Sequence, residues 1–253
     1  HCWRGGMRSG SMAWLFETAG LKVKILVGGY KAYRNYVLSE FERKIPFVVL
    51  GGKTGSGKTD ILLEMQKRGA QVIDLEGIAH HRGSVFGHLG LAPQPTSEHF
   101  ENEVVAQLRQ MDYSKPIWIE DESRHIGQVF MPLGLYTQLR AAPVLFLDIA
   151  AEYRLPYLVE VYAHYPKEDL AHAVGKIKKR LGGDFYKSAM EALEVNDFTQ
   201  VAAITLNYYD KAYVHGLHQR PAEQIQEIVI HTLETSVQTD AVMAHPLCQT
   251  RFS

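Results

Sequence analysis

Gly52-Lys53-Thr54-Gly55-Ser56-Gly57-Lys58-Thr59 satisfies the spacing G-x-x-x-x-G-K-[ST] in full. It lies between an apolar run at 47–50, which reads as a buried strand, and a helical pattern near 57–68. Glycines in such a loop let successive N–H groups converge on a phosphate, and the helix N-terminus adds partial positive charge. Lys58 supplies a full charge to the outer phosphate, and Thr59 offers its hydroxyl to a Mg2+ ion. The loop predicts a diphosphate or triphosphate ligand, and nothing in it reads a base. Magnesium also needs an acid at the end of a neighbouring strand. Asp74, the cluster Glu120-Asp121-Glu122 and Asp148 are candidates, the cluster being the most acidic. A solvated strand-end turn is the plain alternative for it.

A second constellation is Cys2-Trp3-Arg4-Gly5-Gly6-Met7-Arg8-Ser9, ahead of a predicted helix. A cysteine beside Arg4, Arg8 and a helix N-terminus has a depressed pKa, and the N–H groups around Gly5 and Gly6 can cradle an anion. Such a thiolate suits the carriage of sulfur or selenium; a structural cysteine in a terminal turn fits the spacing equally. Cys248 has no comparable surroundings. Basic residues gather in three places: Lys176, Lys179 and Arg180 on one helical face beside Lys178; His80-His81-Arg82; and Arg124-His125. They could hold phosphates of a folded RNA; for the lysines, a solvated helix face is the alternative. His80 and His81, being adjacent, do not converge on a metal, and no firm metal site is expected.

The elements that must position these groups follow from the apolar spacing. Helices are expected at 9–19 and 30–42, with a short strand at 23–27 before Gly28-Gly29. Pro46 marks a boundary. Beyond it, strands at 47–50, 72–75, 117–119 and 144–147 alternate with helices near 57–68 and 98–111. That order predicts a parallel sheet with helices on both faces. Residues 151–235 read as mostly helical, with Phe198, Val201, Ala202, Thr205 and Tyr209 on one face, and 236–253 as a poorly ordered tail. The expected division is 1–43, 44–150, 151–235 completing the second unit, and the tail.

The 253 residues carry 27 Lys+Arg against 28 Asp+Glu, with 46% apolar residues and 22% charged. This excludes a wholly disordered chain, a collagen-like chain and a polycation. Two cysteines make no disulfide framework, so a reducing, cytoplasmic compartment is expected. The longest uncharged run, 126–139, is too short and too polar to cross a bilayer. The chain starts at His1 without an initiator Met and reads as a fragment that begins in mid-domain.

The loop Cys2–Gly10 resembles the active-site loop of rhodanese domains, and Gly28-Gly29-Tyr30-Lys31-Ala32-Tyr33 resembles the strand end that follows it there. A rhodanese part joined to a phosphate-loop part resembles the tRNA 2-selenouridine synthase family. So do Asp74-Leu75-Glu76-Gly77 with His81-Arg82-Gly83-Ser84, Gln94-Pro95 leading to Phe100-Glu101-Asn102, and Glu120-Asp121-Glu122-Ser123-Arg124 with Ile126-Gly127. Leu181-Gly182-Gly183 and Tyr208-Tyr209-Asp210-Lys211-Ala212-Tyr213 extend the likeness to about residue 215.

The resemblance implies a partial rhodanese-like domain followed by a P-loop NTPase-like sheet and a helical C-terminal region. It implies an enzyme that replaces sulfur with selenium in 2-thiouridine at the tRNA wobble position. Selenophosphate is the implied selenium donor, from a selenophosphate-supplying enzyme, and geranyl diphosphate the donor for an S-geranyl intermediate. Cys2 matches the selenium-carrying cysteine, and Gly52, Gly55, Ser56, Gly57, Lys58 and Thr59 would hold the diphosphate. His81, Arg82, Arg124, Lys176, Lys179 and Arg180 become candidate tRNA contacts. Phe86, Leu89, Leu91, Phe130 and Leu133 are candidate liners for the geranyl tail, core packing being the alternative. Rhodanese domains need on the order of 100 residues, so a part of only 43 leaves selenium transfer by this chain open. A small-molecule kinase or NTPase, and a non-enzymatic nucleotide-dependent tRNA-binding module, are the competing readings.

Overall fold

A computed structural model describes residues 3–250. In chain order the elements begin with α1 (Met7–Thr18), α2 (Gly29–Glu40), β1 (Phe47–Gly52), α3 (Lys58–Lys67), β2 (Gln71–Ile73), α4 (Leu75–Ala79) and α5 (Ser97–Leu108). Next come β3 (Ile117–Glu120), β4 (His125–Ile126), β5 (Val129–Phe130), α6 (Leu133–Ala141) and β6 (Val144–Asp148). The last third holds α7 (Ala151–Tyr162), α8 (Lys167–Lys176), α9 (Lys178–Leu181), α10 (Gly183–Glu194), α11 (Phe198–Leu217), β7 (Ile225–Val229) and α12 (Thr235–Met243).

The main sheet has five strands in the order β2-β3-β1-β6-β7, every neighbouring pair parallel. β1 lies at its centre, pairing Phe47 with Ile117 on one side and Val49 with Val144 on the other. Its six residues are all buried, as a strand covered on both faces requires. Alternation sends side chains to opposite faces. Phe47 and Val49 join a core with Val37, Phe41, Phe100, Val104 and Leu135; Val48 and Leu50 join another with Ile61, Leu62, Met65 and Val242. A third cluster, built from α8 to α11 with Phe86 and Leu89, packs the helical region.

Two expectations need correcting. The segment 23–27 is not a strand: it has no neighbouring strand among the described residues, and a lone strand leaves its backbone groups unpaired. Its end is a turn in which the Gly29 amide donates to the Leu26 carbonyl. The region 151–235 is mostly helical as expected, and β7 is added at the sheet edge; its exposed positions hid the apolar signature of a buried strand. The tail is not poorly ordered between 235 and 250. α12 packs on α3, burying Gln238, Thr239 and Val242, and a 3-10 turn at Pro246–Gln249 follows. Cys248 packs half-buried there; its Sγ donates to the Val242 carbonyl at 3.2 Å, and burial pushes its pKa up to about 11. That fits the incidental role expected of it.

α2 is bound into the first core through Val37 and Phe41, and its Arg34 pairs with Glu101 of α5. α1 buries only Ala13 and leaves Trp14, Leu15 and Phe16 exposed. No helix among the described residues is long and apolar enough to cross a membrane.

Phe41→Ala removes a side chain that is 1% exposed. It should cost about 3–5 kcal/mol by the usual cavity penalty, read as a lowered urea midpoint. Trp14→Ala, on the open face of α1, should stay within about 0.5 kcal/mol.

Candidate functional site

β1 ends at the sheet centre, and its carboxyl end runs directly into the glycine loop and α3. Ligands of open parallel sheets bind at that end. Gly55 and Gly57 take φ of +80° and +73°, values that L side chains resist, and Gly57 caps α3. A Cβ on Gly55 would lie 2.9 Å from Leu158. The Ser56 Oγ donates to the Lys53 carbonyl at 2.8 Å, closing the loop on itself. Lys58 Nζ donates back to the Gly52 carbonyl at 2.8 Å. Lys53 faces away to Asp148, 3.2 Å distant, so Asp148 is drawn into an ion pair.

The loop forms one wall of a cavity of about 570 Å³. Asp74, Glu76, Glu122, Arg82, Tyr157 and Tyr162 line other walls. The Thr59 hydroxyl lies 3.0 Å from Glu120 Oε1 and 3.1 Å from Glu76 Oε2, and the Glu76 amide donates to Glu120 Oε2 at 3.1 Å. Burial, with the negative charges of Glu76 and Asp74, raises the Glu120 pKa well above the carboxylate range. Burial and the charges of Glu76 and Glu120 do the same to Glu122. Glu76 and Asp74 are raised as well, chiefly by burial.

Oxygen-rich and negative, this corner suits a hard cation. Among the described residues no three acid, histidine or cysteine side chains converge on one metal point. The donors therefore fit a Mg2+ held by Thr59 and one or two carboxylates together with ligand phosphate, not a cage made of protein alone. Of the three acids in the sequence cluster, the fold separates one. Asp121 accepts from Arg220 at 2.6 Å and from the Tyr213 hydroxyl at 2.8 Å, and is committed to structure. Glu120 and Glu122 remain as candidates, joined by Glu76, which the sequence reading did not single out.

Two helices support the loop from behind. Arg154 of α7 is 1% exposed and donates to the Thr54 carbonyl at 2.9 Å and to the Ile149 carbonyl at 2.8 Å. Asp210 of α11 takes both of its terminal nitrogens, at 2.9 and 2.6 Å. One turn further along α11, the Tyr213 hydroxyl accepts from the Gly52 amide at 2.9 Å. From α12, Gln238 Nε2 reaches the Ser56 carbonyl at 3.5 Å. Asp210 and Tyr213 lie in the block that carries the family resemblance, with no role read for them from the sequence; Arg154 and Gln238 carried no local signal.

The other expected residues are scattered. Cys2 lies outside the described residues. Arg4 and Arg8 are exposed at the start of α1, and Gly5 packs on the turn at Gly29. Gly6 caps α1; none of Arg4, Gly5, Gly6 and Arg8 lines the loop cavity. Arg82 does line it. His81, Lys176 and Arg180 meet in a neighbouring cleft, whereas Arg124 and Lys179 are exposed and line neither space. Phe86 lines a narrow apolar slot beside the loop cavity and Leu91 lines the cavity itself. Leu89 is core, and Phe130 and Leu133 are solvent-exposed, so these three are not liners.

Loop, sheet and acids together define an α/β protein of the phosphate-loop class. Residues 45–241 match the tRNA 2-selenouridine synthase AAA domain. Curated proteins named tRNA 2-selenouridine synthase are similar along most of the chain. That of Shewanella loihica is 37% identical over 257 residues, spanning 87% of this chain and 67% of the relative. That of Marinobacter nauticus is 33% identical over 256 residues, 88% and 68% of the two chains. That of Sulfurovum sp. is 38% identical over 216 residues, 77% and 58%. A solved shikimate kinase from Bacteroides thetaiotaomicron shares 14% identity at a TM-score of 0.35, over 78% of this chain and 96% of that one, a likeness too slight to bear on activity. The chain belongs to the tRNA 2-selenouridine synthase family, and spans about two thirds or less of the length of these relatives.

Two outcomes follow from this geometry. Asp210→Ala strands the buried Arg154 charge, so it should destabilise by about 3–5 kcal/mol and weaken diphosphate binding, read by calorimetry. The second concerns pH. A carboxyl whose folded pKa is raised binds a proton that the unfolded chain has released, so stability falls as pH rises from the ordinary carboxylate range through the folded pKa. With chelator present, Glu122→Gln, facing Glu76, Glu120 and Lys58, should flatten that fall. Thermal melts across pH 5–8 that keep the native slope would contradict it.

Proposed function

We propose that this chain alkylates the sulfur of 2-thiouridine at the wobble position of a tRNA, using geranyl diphosphate bound at the phosphate loop. The observation that carries the reading is the pairing of two unlike spaces. The loop cavity shares Thr54, Ser84, Leu158, Tyr162 and Tyr209 with a narrow slot of about 50 Å³, whose further walls are apolar, among them Phe86, Leu170, Val201 and Ala202. A diphosphate ester with a hydrocarbon tail matches that combination. Each methylene removed from water contributes about 0.8 kcal/mol, and the slot has room for the branched end of the tail.

The chemistry uses groups already placed. The sulfur lone pair attacks the allylic carbon, the carbon–oxygen bond breaks, and its electron pair leaves with diphosphate. The proton at N3 of the base is then released to solvent. Negative charge grows on the departing oxygens, where the loop N–H groups and Lys58 stabilise it. Bound magnesium, held by Thr59 with Glu120 or Glu122, would add to that neutralisation. Alkylation turns a poor leaving group into a good one. Selenium from selenophosphate then displaces it at C2: the carbon–sulfur bond breaks, geranyl thiolate departs, and water takes up the phosphoryl group. Cys2, in the part that resembles a rhodanese domain, is the residue we assign to this selenium step.

Nucleoside mass spectrometry tests this reading. The chain, given 2-thiouridine tRNA and geranyl diphosphate, should yield an S-geranyl nucleoside, and Lys58→Ala should abolish it. Ala202→Phe, which fills the slot, should favour the five-carbon allylic diphosphate over geranyl. A chain that leaves the nucleoside unchanged but hydrolyses ATP would be a nucleotide enzyme instead.

A further inference from the structure

His81 is 7% exposed, and its Nδ1 is buried without a hydrogen-bond partner among the described residues. A buried polar atom left unpaired costs about 1–3 kcal/mol, and such an atom facing a cavity marks a place where a ligand completes the bonding. His81 lines a cleft of about 830 Å³ beside the loop cavity. The two spaces share Gly83, Ser84, Leu91, Ala92 and Ser123.

Their charges differ in sign. Asp60, Asp74, Glu76, Asp121 and Glu122 line the loop cavity and outnumber its cations Lys58 and Arg82. The charged groups lining the cleft are Lys176 and Arg180, with His88 and His125 beside them, and no carboxylate is among its lining residues. The His81 and His88 rings are nearly parallel, 16° apart with centroids separated by 6.4 Å, and the half-buried His88 ring is a flat surface of the kind on which unstacked RNA bases rest. Burial, then the neighbouring charges, lowers both imidazole pKa values and keeps the rings neutral. The shared wall is low at Gly83, whose φ is +69° and where a Cβ would stand 3.0 Å from Glu122.

We propose that this cleft admits the target nucleotide of the RNA, everted from its loop, with His81 Nδ1 hydrogen-bonding the edge of the base and Lys176 and Arg180 holding the flanking phosphates. The C2 substituent of the base then reaches the allylic donor across Gly83 and Ser84. The assignment rests on the RNA substrate proposed above, and adds the route by which it enters and the residue that reads it.

Binding of anticodon stem-loops by fluorescence anisotropy tests the assignment in the full chain. Lys176→Ala with Arg180→Ala, both exposed, should lower the slope of log Kd against log salt by about two, equally for stem-loops with 2-thiouridine or an abasic wobble site. His81→Phe should keep the native slope and weaken the 2-thiouridine stem-loop about tenfold, leaving the abasic one unchanged. Geranyl diphosphate binding should be native in all of these variants. If native chain binds RNA and the double variant binds it equally well, the cleft is not the route, although the RNA reading survives. Absence of RNA binding by native chain overturns both. A thermal shift with inorganic phosphate that the double variant loses, while its RNA binding stays native, would make the cleft a small-oxyanion site and overturn the assignment. Loss of donor binding in His81→Phe would make His81 a structural residue.

Discussion

A loop that aims its N–H groups at a single point must turn its carbonyls elsewhere, and those carbonyls need partners. The buried guanidinium of Arg154 supplies them. It holds the carbonyl of Thr54 inside the loop and that of Ile149 beyond β6, and Asp210 balances its charge. A desolvated pair of this kind is a poor source of net stability but a strong specifier of geometry, because removing either member leaves a charge with no water. Through it the loop is tied to α7 and α11. The Tyr213–Asp121–Arg220 chain makes a second tie, from α11 across the end of β3. The phosphate site is thus held by the helical region as much as by its own glycines.

The same arrangement explains how charge is sorted. Acids gather where Thr59 meets the ends of β2 and β3, and bases gather on α8 and α9 and along the stretch after α4. Two spaces of opposite sign then share a wall at Gly83 and Ser84. A reaction between an anionic donor and a polyanionic acceptor needs both brought close without mixing their counter-charges. The acid corner calls for a cation before a diphosphate can settle, whereas the basic cleft needs none.

Much of this was legible in the chain. The loop motif, the buried strands at 47–50, 117–119 and 144–147, and the acids after 119 were all local patterns with local causes. β7 was not legible, because an edge strand shows none of the apolar run of a buried one. α12 was missed since its buried face includes Gln238 and Thr239, polar residues that periodicity discards. The strand expected at 23–27 had the right composition but no partner among the described residues, and pairing is a property of the whole fold. Arg154 and Glu76 became site residues only through distant contacts, the one with Asp210, the other with Thr59 and Glu120. In the cluster at 120–122, type and position were equal; only the presence of Arg220 beside Asp121 separates structure from chemistry.

The order of these supports along the chain has a temporal consequence. The loop is complete by residue 59, yet Arg154 lies 100 residues beyond its partner Thr54, Asp210 a further 56 beyond Arg154, and Gln238 lies 182 beyond its partner Ser56. During synthesis the anion-binding loop therefore emerges long before it can close on anything. Contacts of such wide separation form late and slowly. A growing chain stays unable to capture diphosphate until α12 has left the ribosome, so that competence arrives only with the last of these supports.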